Sequence, residues 1–275
     1  MISNIITKLS KAFVYIWVGF ILFVFFWVFL ASIKTDQELL SDFWTLPSNF
    51  QWSNYVFAWI NSNLAAYFFN SIIVVLVSII GLIIISSPAA YILSRVKFKG
   101  RGFITISFII GIAVPHQAIL IPLYLLMVNM GLINSLTGVI IVYIVYSLPF
   151  TIFILTGFFS TISSEVEEAA AIEGATPNQT FWKIVLPMIR PGIITVVILN
   201  GVGLWNEFLF AYTFLNSGEK YTLSVGLYKF YQTMEYNSNW VSLYAGVVII
   251  IIPILLFYLW LSGRIIEGMT AGSGK

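Results

Sequence analysis

The chain of 275 residues is 60% hydrophobic and 17% aromatic, its mean hydropathy is +0.97, and only 9% of it is charged. A soluble domain carries about a quarter of its residues charged, so this composition excludes a water-covered globule and places the chain in lipid. A net charge of +2 is too small for a nucleic-acid binder, and the absence of cysteine removes disulfides, thiolate chemistry and cysteine metal sites.

Six runs are long and apolar enough to cross a bilayer as helices, which takes about 20 residues each. They cover residues 12–33, 67–93, 103–127, 138–160, 192–215 and 241–262. The runs are continuous and do not alternate with a short period, so a closed β-barrel is excluded. The prediction is an all-α integral membrane protein with six transmembrane helices in one domain, 1–275. No short apolar core followed by a small-residue cleavage site opens the chain, so its N-terminus is expected to be retained. Lys8 and Lys11 precede the first span, and Arg95, Lys97, Lys99 and Arg101 crowd the second connection. Lys183 and Arg190 sit in the fourth connection, and Arg264 and Lys275 follow the sixth span. Ten of thirteen basic residues thus fall on one side, against Lys34, Lys220 and Lys229 on the other. By the positive-inside rule both termini are predicted to be cytoplasmic.

The first external segment, 34–66, is net acidic and rich in aromatics. Ser53 is placed to cap a short helix over 54–60, with Trp52, Tyr55 and Trp59 at the membrane–water boundary. The last external loop, 216–240, carries Tyr221, Tyr228, Tyr231 and Tyr236, and the two loops are expected to form an outer platform for a delivering protein. Pro88, Pro115, Pro122, Pro149 and Pro253 mark kinks or unwound turns inside spans. His116 follows Pro115 at a predicted break; with no cysteine or second histidine to help, it reads as a packing residue and not as a metal ligand, with a pH switch left open as the alternative. The two halves show no internal repeat, which counts against an inverted-repeat secondary transporter.

The fourth connection, 161–190, gathers Glu165, Glu167, Glu168 and Glu173 against three alanines and a glycine. Ser164 with Glu167 reads as a capping box, and the helix it opens is predicted to stop at Gly174. Thr176, Pro177 and Gln179 read as a second capping box, opening a helix with Phe181, Trp182, Ile184, Val185 and Leu186 that ends near Pro187. Carboxylates stabilise a helix start, but the alanines leave a slim flank where another backbone can approach, and a helix this short needs packing from elsewhere. The chain has too few residues on that side to supply it, so the surface is expected to belong to a partner.

The spacing Glu168-Ala169-Ala170, Gly174, Ile184-x-Leu186-Pro187 resembles the EAA loop of permease subunits of bacterial ATP-binding-cassette importers. The strings "FFNSIIV", "VPHQAILIPLYLLMVNMGLINSLTGVI", "LPFTIFILTGFF", "LNGVGLWNEFLFAYTFL" and "IIEGMTAGSGK" are similar, in order, to the maltose-type second permease of the carbohydrate-uptake branch. The resemblance implies the importer permease fold and a coupling role for Glu168, Ala169, Ala170, Gly174, Ile184, Leu186 and Pro187. It implies a non-catalytic subunit forming half of a sugar pathway in a bacterial plasma membrane. It further implies a second, related permease chain, two cytoplasmic ATPase subunits that hold ATP and Mg, and an extracytoplasmic sugar-binding protein. The terminal "TAGSGK" is no phosphate loop, because the position of its required first glycine is Met269 and the chain ends at Lys275. Two alternatives stay open: an importer of amino acids, polyamines or phosphate in the same family, and a stand-alone secondary transporter.

For the pathway itself the candidates are Asn200, Trp205, Asn206 and Glu207 in "NGVGLWNEF". An ionisable residue inside a span faces a cavity or a partner, and continuous helical spacing sets Asn200 and Glu207 on one face. Either they line or gate the path, or they hydrogen-bond between helices and never meet cargo. Trp205 is placed either to stack on a sugar face or to pack between helices.

Overall fold

The structure, a computed structural model, describes the backbone of residues 2–237 and 239–272 and the side chains of 6–234 and 239–259. The chain opens with α1 (Ile2–Ser32), α2 (Asp36–Ser41) and α3 (Ser53–Val56), the last widening into a π-turn over Phe57–Asn61. Next come α4 (Leu64–Arg95), α5 (Arg101–Ala113), α6 (His116–Asn129) and α7 (Leu136–Ser160). The fourth connection holds α8 (Ser164–Ile172) and α9 (Pro177–Gln179), which continues through a π-segment, Thr180–Val185, into α10 (Leu186–Met188). Then follow α11 (Arg190–Trp205), α12 (Leu209–Phe214), α13 (Leu223–Asn237) and α14 (Trp240–Gly272). No strand occurs among the described residues.

Four helical stretches are long and apolar enough to cross a membrane alone: Ile6–Ser32, Leu64–Arg95, Leu136–Ser160 and Trp240–Leu259. Two more spans arise if each bent pair counts as one, α5 with α6 (103°) and Pro177–Met188 with α11 (71°). The third and fifth predicted runs are therefore helical but not continuous; the break at Pro115 is the one the sequence predicts, and the break after Trp205 corrects the reading of the fifth run as one continuous span. In the third, Pro115 drives Val114 into extended backbone (φ −72°, ψ 117°), and the helix stops at Ala113. The fifth ends at Trp205 and resumes as α12 only at Leu209. Asn206 turns its side-chain amide back onto the Val202 carbonyl (2.8 Å), competing with helix continuation.

Two compact units are present: residues up to Ala66 with Gly226–Pro253, and Tyr67–Val225 with the stretch from Ile254 onward. The first unit contains the segment 34–66 that the sequence reading places outside. Its small core joins Ala31, Leu39 and Val241 with Trp27, Trp240 and Tyr244. Thr35 and Glu38 form a capping box on α2, while Asp36 accepts from the Val241 N–H at 3.2 Å. The Ser48 hydroxyl, with the Thr35 and Ser48 N–H groups, pulls the Glu38 carboxyl down to a pKa of about 2. Lys34 is buried and donates to the Phe43 carbonyl, so one of the three cations assigned to the outer side is not a surface charge. Ser53 does not cap α3: Trp52 occupies that position without a side-chain bond. Of the aromatics expected on the outer side, the side chain of Tyr236 lies outside the described residues, as do those of Arg264 and Lys275 at the far end.

In the second unit, α7 contributes buried residues to two apolar clusters. One joins α4, α7, α11 and α12 through Val74, Val142, Tyr143, Leu204, Phe210 and Phe214. The other gathers the end of α4 (Ala90, Leu93), α7 (Leu155, Phe159), the fourth connection (Phe181, Val185, Ile189) and α11 (Val196). Gly192 permits close approach here, since a Cβ at that position would lie 2.5 Å from Phe158 Cγ. This cluster holds the second half of the fourth connection in the helix bundle.

Candidate functional site: an exposed helical knob and two broken spans

In the fourth connection, α8 starts one residue earlier than predicted. Ser163, not Ser164, is the N-cap, and its hydroxyl accepts from the Glu165 N–H at 3.3 Å. The predicted Ser164–Glu167 box does not form, because the Glu167 carboxylate turns instead to Arg95, 3.0 Å away. The helix ends in a Schellman turn at Gly174. Ala175 N–H reaches the Ala170 carbonyl at 2.9 Å and Gly174 N–H the Ala171 carbonyl at 3.1 Å, with Gly174 at φ +82°. The second box does form: Thr176 Oγ1 accepts from Gln179 N–H, Gln179 Oε1 accepts from Thr176 N–H, and Pro177 sits in the first turn.

The following helix widens to π-geometry over Thr180–Val185, where Leu186 N–H bonds to the Phe181 carbonyl. Pro187 explains the widening. It has no N–H for the Lys183 carbonyl and its ring crowds that carbonyl in a regular helix, so a wider turn relieves both.

The predicted coupling residues divide between two faces. Ala170 is buried, and Ile184 and Leu186 are partly buried, whereas Glu168, Ala169, Gly174 and Pro187 are exposed. The outer face holds Glu165, Glu168 and Glu173 around Ile172, which is 87% exposed. A large aliphatic side chain so open, ringed by carboxylates, suits an apolar cleft with a basic rim. Sequence reasoning passed over Ile172 because its signal, one isoleucine in an alanine-rich helix, is indistinguishable from a core position.

The pathway candidates are not brought together as predicted. Because α11 stops at Trp205, Asn200 and Glu207 do not share a helix face, which corrects that expectation. Asn200 is buried and donates to Thr151 Oγ1 of α7 (3.1 Å) and to the Val196 carbonyl (2.8 Å). Trp205 sets its ring edge-on to Phe68 at 5.7 Å, with its Nε1 buried and unbonded. Asn206 is exposed at the break.

Glu207 lies past the break and accepts from three donors: Tyr143 Oη (2.6 Å), Phe210 N–H (2.8 Å) and Ala211 N–H (3.2 Å). It thereby satisfies the free N–H groups that open α12, as backbone inside a span requires. One turn along α7 from Tyr143, Tyr146 meets His116: the rings are 3.9 Å apart, with Oη 3.2 Å from Nδ1. Phe210 lies 5.5 Å from His116 and 5.6 Å from Tyr146. The break after Ala113 and the break after Trp205 therefore converge on one polar, aromatic patch of α7. Tyr143, Tyr146 and Phe210 were missed, since three aromatics in apolar runs carry no sequence signal of their own. Among the described residues, no three His, Asp or Glu side chains are grouped to hold a metal ion.

Comparison with known proteins bears on what this arrangement serves. Residues 85–270 match the family described as "Binding-protein-dependent transport system inner membrane component". The diacetylchitobiose uptake system permease protein NgcG of Streptomyces coelicolor is 34% identical over 265 residues, 96% of this chain and 88% of its own. The sulfoquinovosyl glycerol transport system permease protein SmoH of Agrobacterium fabrum is 36% identical over 256 residues, 92% of this chain and 89% of its own. The trehalose transport system permease protein SugB of Mycobacterium tuberculosis is 30% identical over 258 residues, 94% of each chain. Among solved structures, a bacterial ABC transporter involved in import of the acidic polysaccharide alginate superposes with a TM-score of 0.82 at 24% identity, covering 94% of this chain and 96% of that one, which identifies the same fold.

Proposed function

The chain belongs to the family of binding-protein-dependent transport system inner membrane components, and from that premise we propose that it is the transmembrane subunit of an ATP-driven carbohydrate importer. It is a multi-pass protein of the bacterial plasma membrane, with both termini on the cytoplasmic side. Its six spans form half of the path, and a second, homologous permease chain forms the other half. Two cytoplasmic ATPase subunits hold ATP and Mg, and an extracytoplasmic binding protein delivers the sugar. The chain itself hydrolyses nothing.

The observation that carries this reading is the outer face of α8: Ile172 exposed among three carboxylates, on a helix whose end is fixed by the Gly174 turn. Such a face is costly in water and useful when seated. Glu168, Ala169 and Gly174 shape the docking side, while Ile184, Leu186 and Pro187 fix the segment that anchors it. ATP-driven closure of the ATPases moves this knob, and the bundle follows. The patch of His116, Tyr143, Tyr146 and Glu207, with Asn200, Trp205 and Asn206 on the neighbouring helix, supports a polar stretch of path suited to hydroxyl-bearing cargo. Carbohydrate as the cargo class draws on relatives named for diacetylchitobiose, trehalose and sulfoquinovosyl glycerol uptake.

The test is purification of the assembled complex followed by sugar uptake into proteoliposomes across a panel of mono- and oligosaccharides. An ATPase subunit is expected to co-purify, and one or more sugars with their binding protein are expected to stimulate hydrolysis. Uptake that persists without ATP on a proton gradient would overturn the proposal.

A further inference from the structure

Helix α8 is nine residues long, too short to persist by itself, and only Ala170 of it is fully buried. In the chain it lies between α7 and α11, so a push on its outer face reaches those two spans through the backbone. It reaches α4 only through side chains, and the structure supplies such a connection. Arg95 is the last residue of α4, and its Nη2 lies 3.0 Å from Glu167 Oε2, with Nε 3.2 Å from both carboxylate oxygens. Its Nη1 donates to the Ile162 carbonyl at 2.8 Å, just ahead of the α8 N-cap. One guanidinium therefore grips both the first turn of α8 and the strand of backbone entering it. The side chains are only 15% and 24% exposed, so this is not a loose surface pair, and the two-pronged geometry fixes orientation as well as distance. Beneath it, Tyr91 of α4 packs on Phe181 of the same connection at 5.0 Å.

We propose that Arg95 is a positioning residue that fastens the docking helix α8 to the end of α4, so that the two move as one body when the ATPase moves α8. The proposal rests on the importer reading above. A Lys–carboxylate contact would not serve as well, because an ammonium offers a point charge where the guanidinium presents a planar fork to both Glu167 and the Ile162 carbonyl. The pair also explains why Glu167 forgoes the capping box: its carboxylate is committed to a residue 72 positions away.

The experiment uses the complete importer in proteoliposomes, with Arg95→Gln, Glu167→Gln, Arg95→Lys and the exchange variant Arg95→Glu/Glu167→Arg. Three quantities are read: ATPase co-purification, ATP hydrolysed, and sugar moved per ATP. The outer face is untouched, so the ATPase is expected to co-purify with all four. Sugar moved per ATP is expected to fall at least about fivefold in the two glutamine variants, the low end of ordinary coupling between sites. It should fall less in Arg95→Lys and recover only in part in the exchange variant, because a carboxylate at position 95 can pair with the guanidinium at 167 but cannot donate to the Ile162 carbonyl. Spin labels at Ser164, an exposed α8 position off the outer face, and at Lys97 supply a second readout that needs no sugar: their separation should stay narrow on adding ATP in the unmodified protein and spread in Arg95→Gln. Unchanged sugar per ATP together with an unspread label distance in Arg95→Gln would overturn the proposal. So would loss of co-purification in every glutamine variant, since that marks a residue needed only to fold α8. If the unmodified complex binds no ATPase at all, the importer reading fails, and that result is distinct from either.

Discussion

Gly174 offers the sharpest test of the knob, because its replacement isolates backbone from bulk. The residue sits at φ +82°, and a Cβ built there meets nothing within 4 Å. Substitution therefore costs only the left-handed conformation, about 1–2 kcal/mol for an ordinary L-residue. Asparagine enters that region more readily than alanine, and a β-branched residue least readily. If the Schellman turn must hold for docking, that cost appears in full in the affinity for the ATPase subunit. A cost of about 1–2 kcal/mol is a factor of roughly 5–30. The assay is titration of purified ATPase subunit onto the permease pair in nanodiscs. Gly174→Asn is expected near the unmodified affinity, Gly174→Ala about fivefold weaker and Gly174→Val weakest, near the top of that range. Equal affinity for all four proteins would refute the claim that the turn is required. Equal damage from Asn and Val would refute the reasoning differently, by showing that side-chain volume against the partner matters and φ does not.

Three further outcomes follow from the same structure. Gly192→Ala places a methyl 2.5 Å from Phe158 Cγ and should lower stability by about 1–3 kcal/mol, read as a reduced melting temperature in detergent. Glu207→Ala removes the acceptor for the Tyr143 hydroxyl and for two N–H groups of α12; a loss of about 2–3 kcal/mol is expected in the same melt, with Glu207→Gln milder because an amide oxygen still accepts. The Glu38 carboxyl, held near a pKa of about 2 against an ordinary 4.5, contributes stability that is whole above 4.5 and is lost as pH falls toward 2. Protease resistance of the 34–66 segment should accordingly be flat from about pH 5 to pH 8 and fall below about pH 4, with Glu38→Gln showing the weakened state at neutral pH.

Much of this was legible because local chemistry wrote it. Thr176, Pro177 and Gln179 specify a helix start within four residues, and Gly174 specifies a stop. Long apolar runs specify spans wherever nothing interrupts them. The break at Pro115 was readable for the same reason: a missing N–H is a local fact. The break after Trp205 was not. Gly201, Gly203 and Asn206 weaken a helix without forbidding it, and what ends α11 is a set of distant partners, Tyr143 and Ser224 among them, that hold Glu207 and its carbonyl off the helix axis. Glu167 shows the same limit. Its spacing from Ser164 satisfied a capping rule, yet Arg95, far away in sequence, offered a stronger partner. Spacing rules see only what lies within a few residues, so they fail where a tertiary charge outbids a local amide.

The two breaks and Glu207 also bear on each other. A span interrupted inside lipid leaves N–H and carbonyl groups that cost several kcal/mol each if unpaired. At α12 that cost is offset by one carboxylate taking two N–H groups and a tyrosine hydroxyl. A neutral Ser or Asn cap would satisfy the same helix start, at less cost than burying an ionisable group. Capping therefore accounts for a polar residue after Trp205 but not for an acidic one. What a carboxylate adds is a strong acceptor beside Tyr143, which orders the α7 face where Tyr146 and His116 also meet. The breaks and the acid make sense together if that face must stay polar and fixed while cargo passes, and separately each is only an expense.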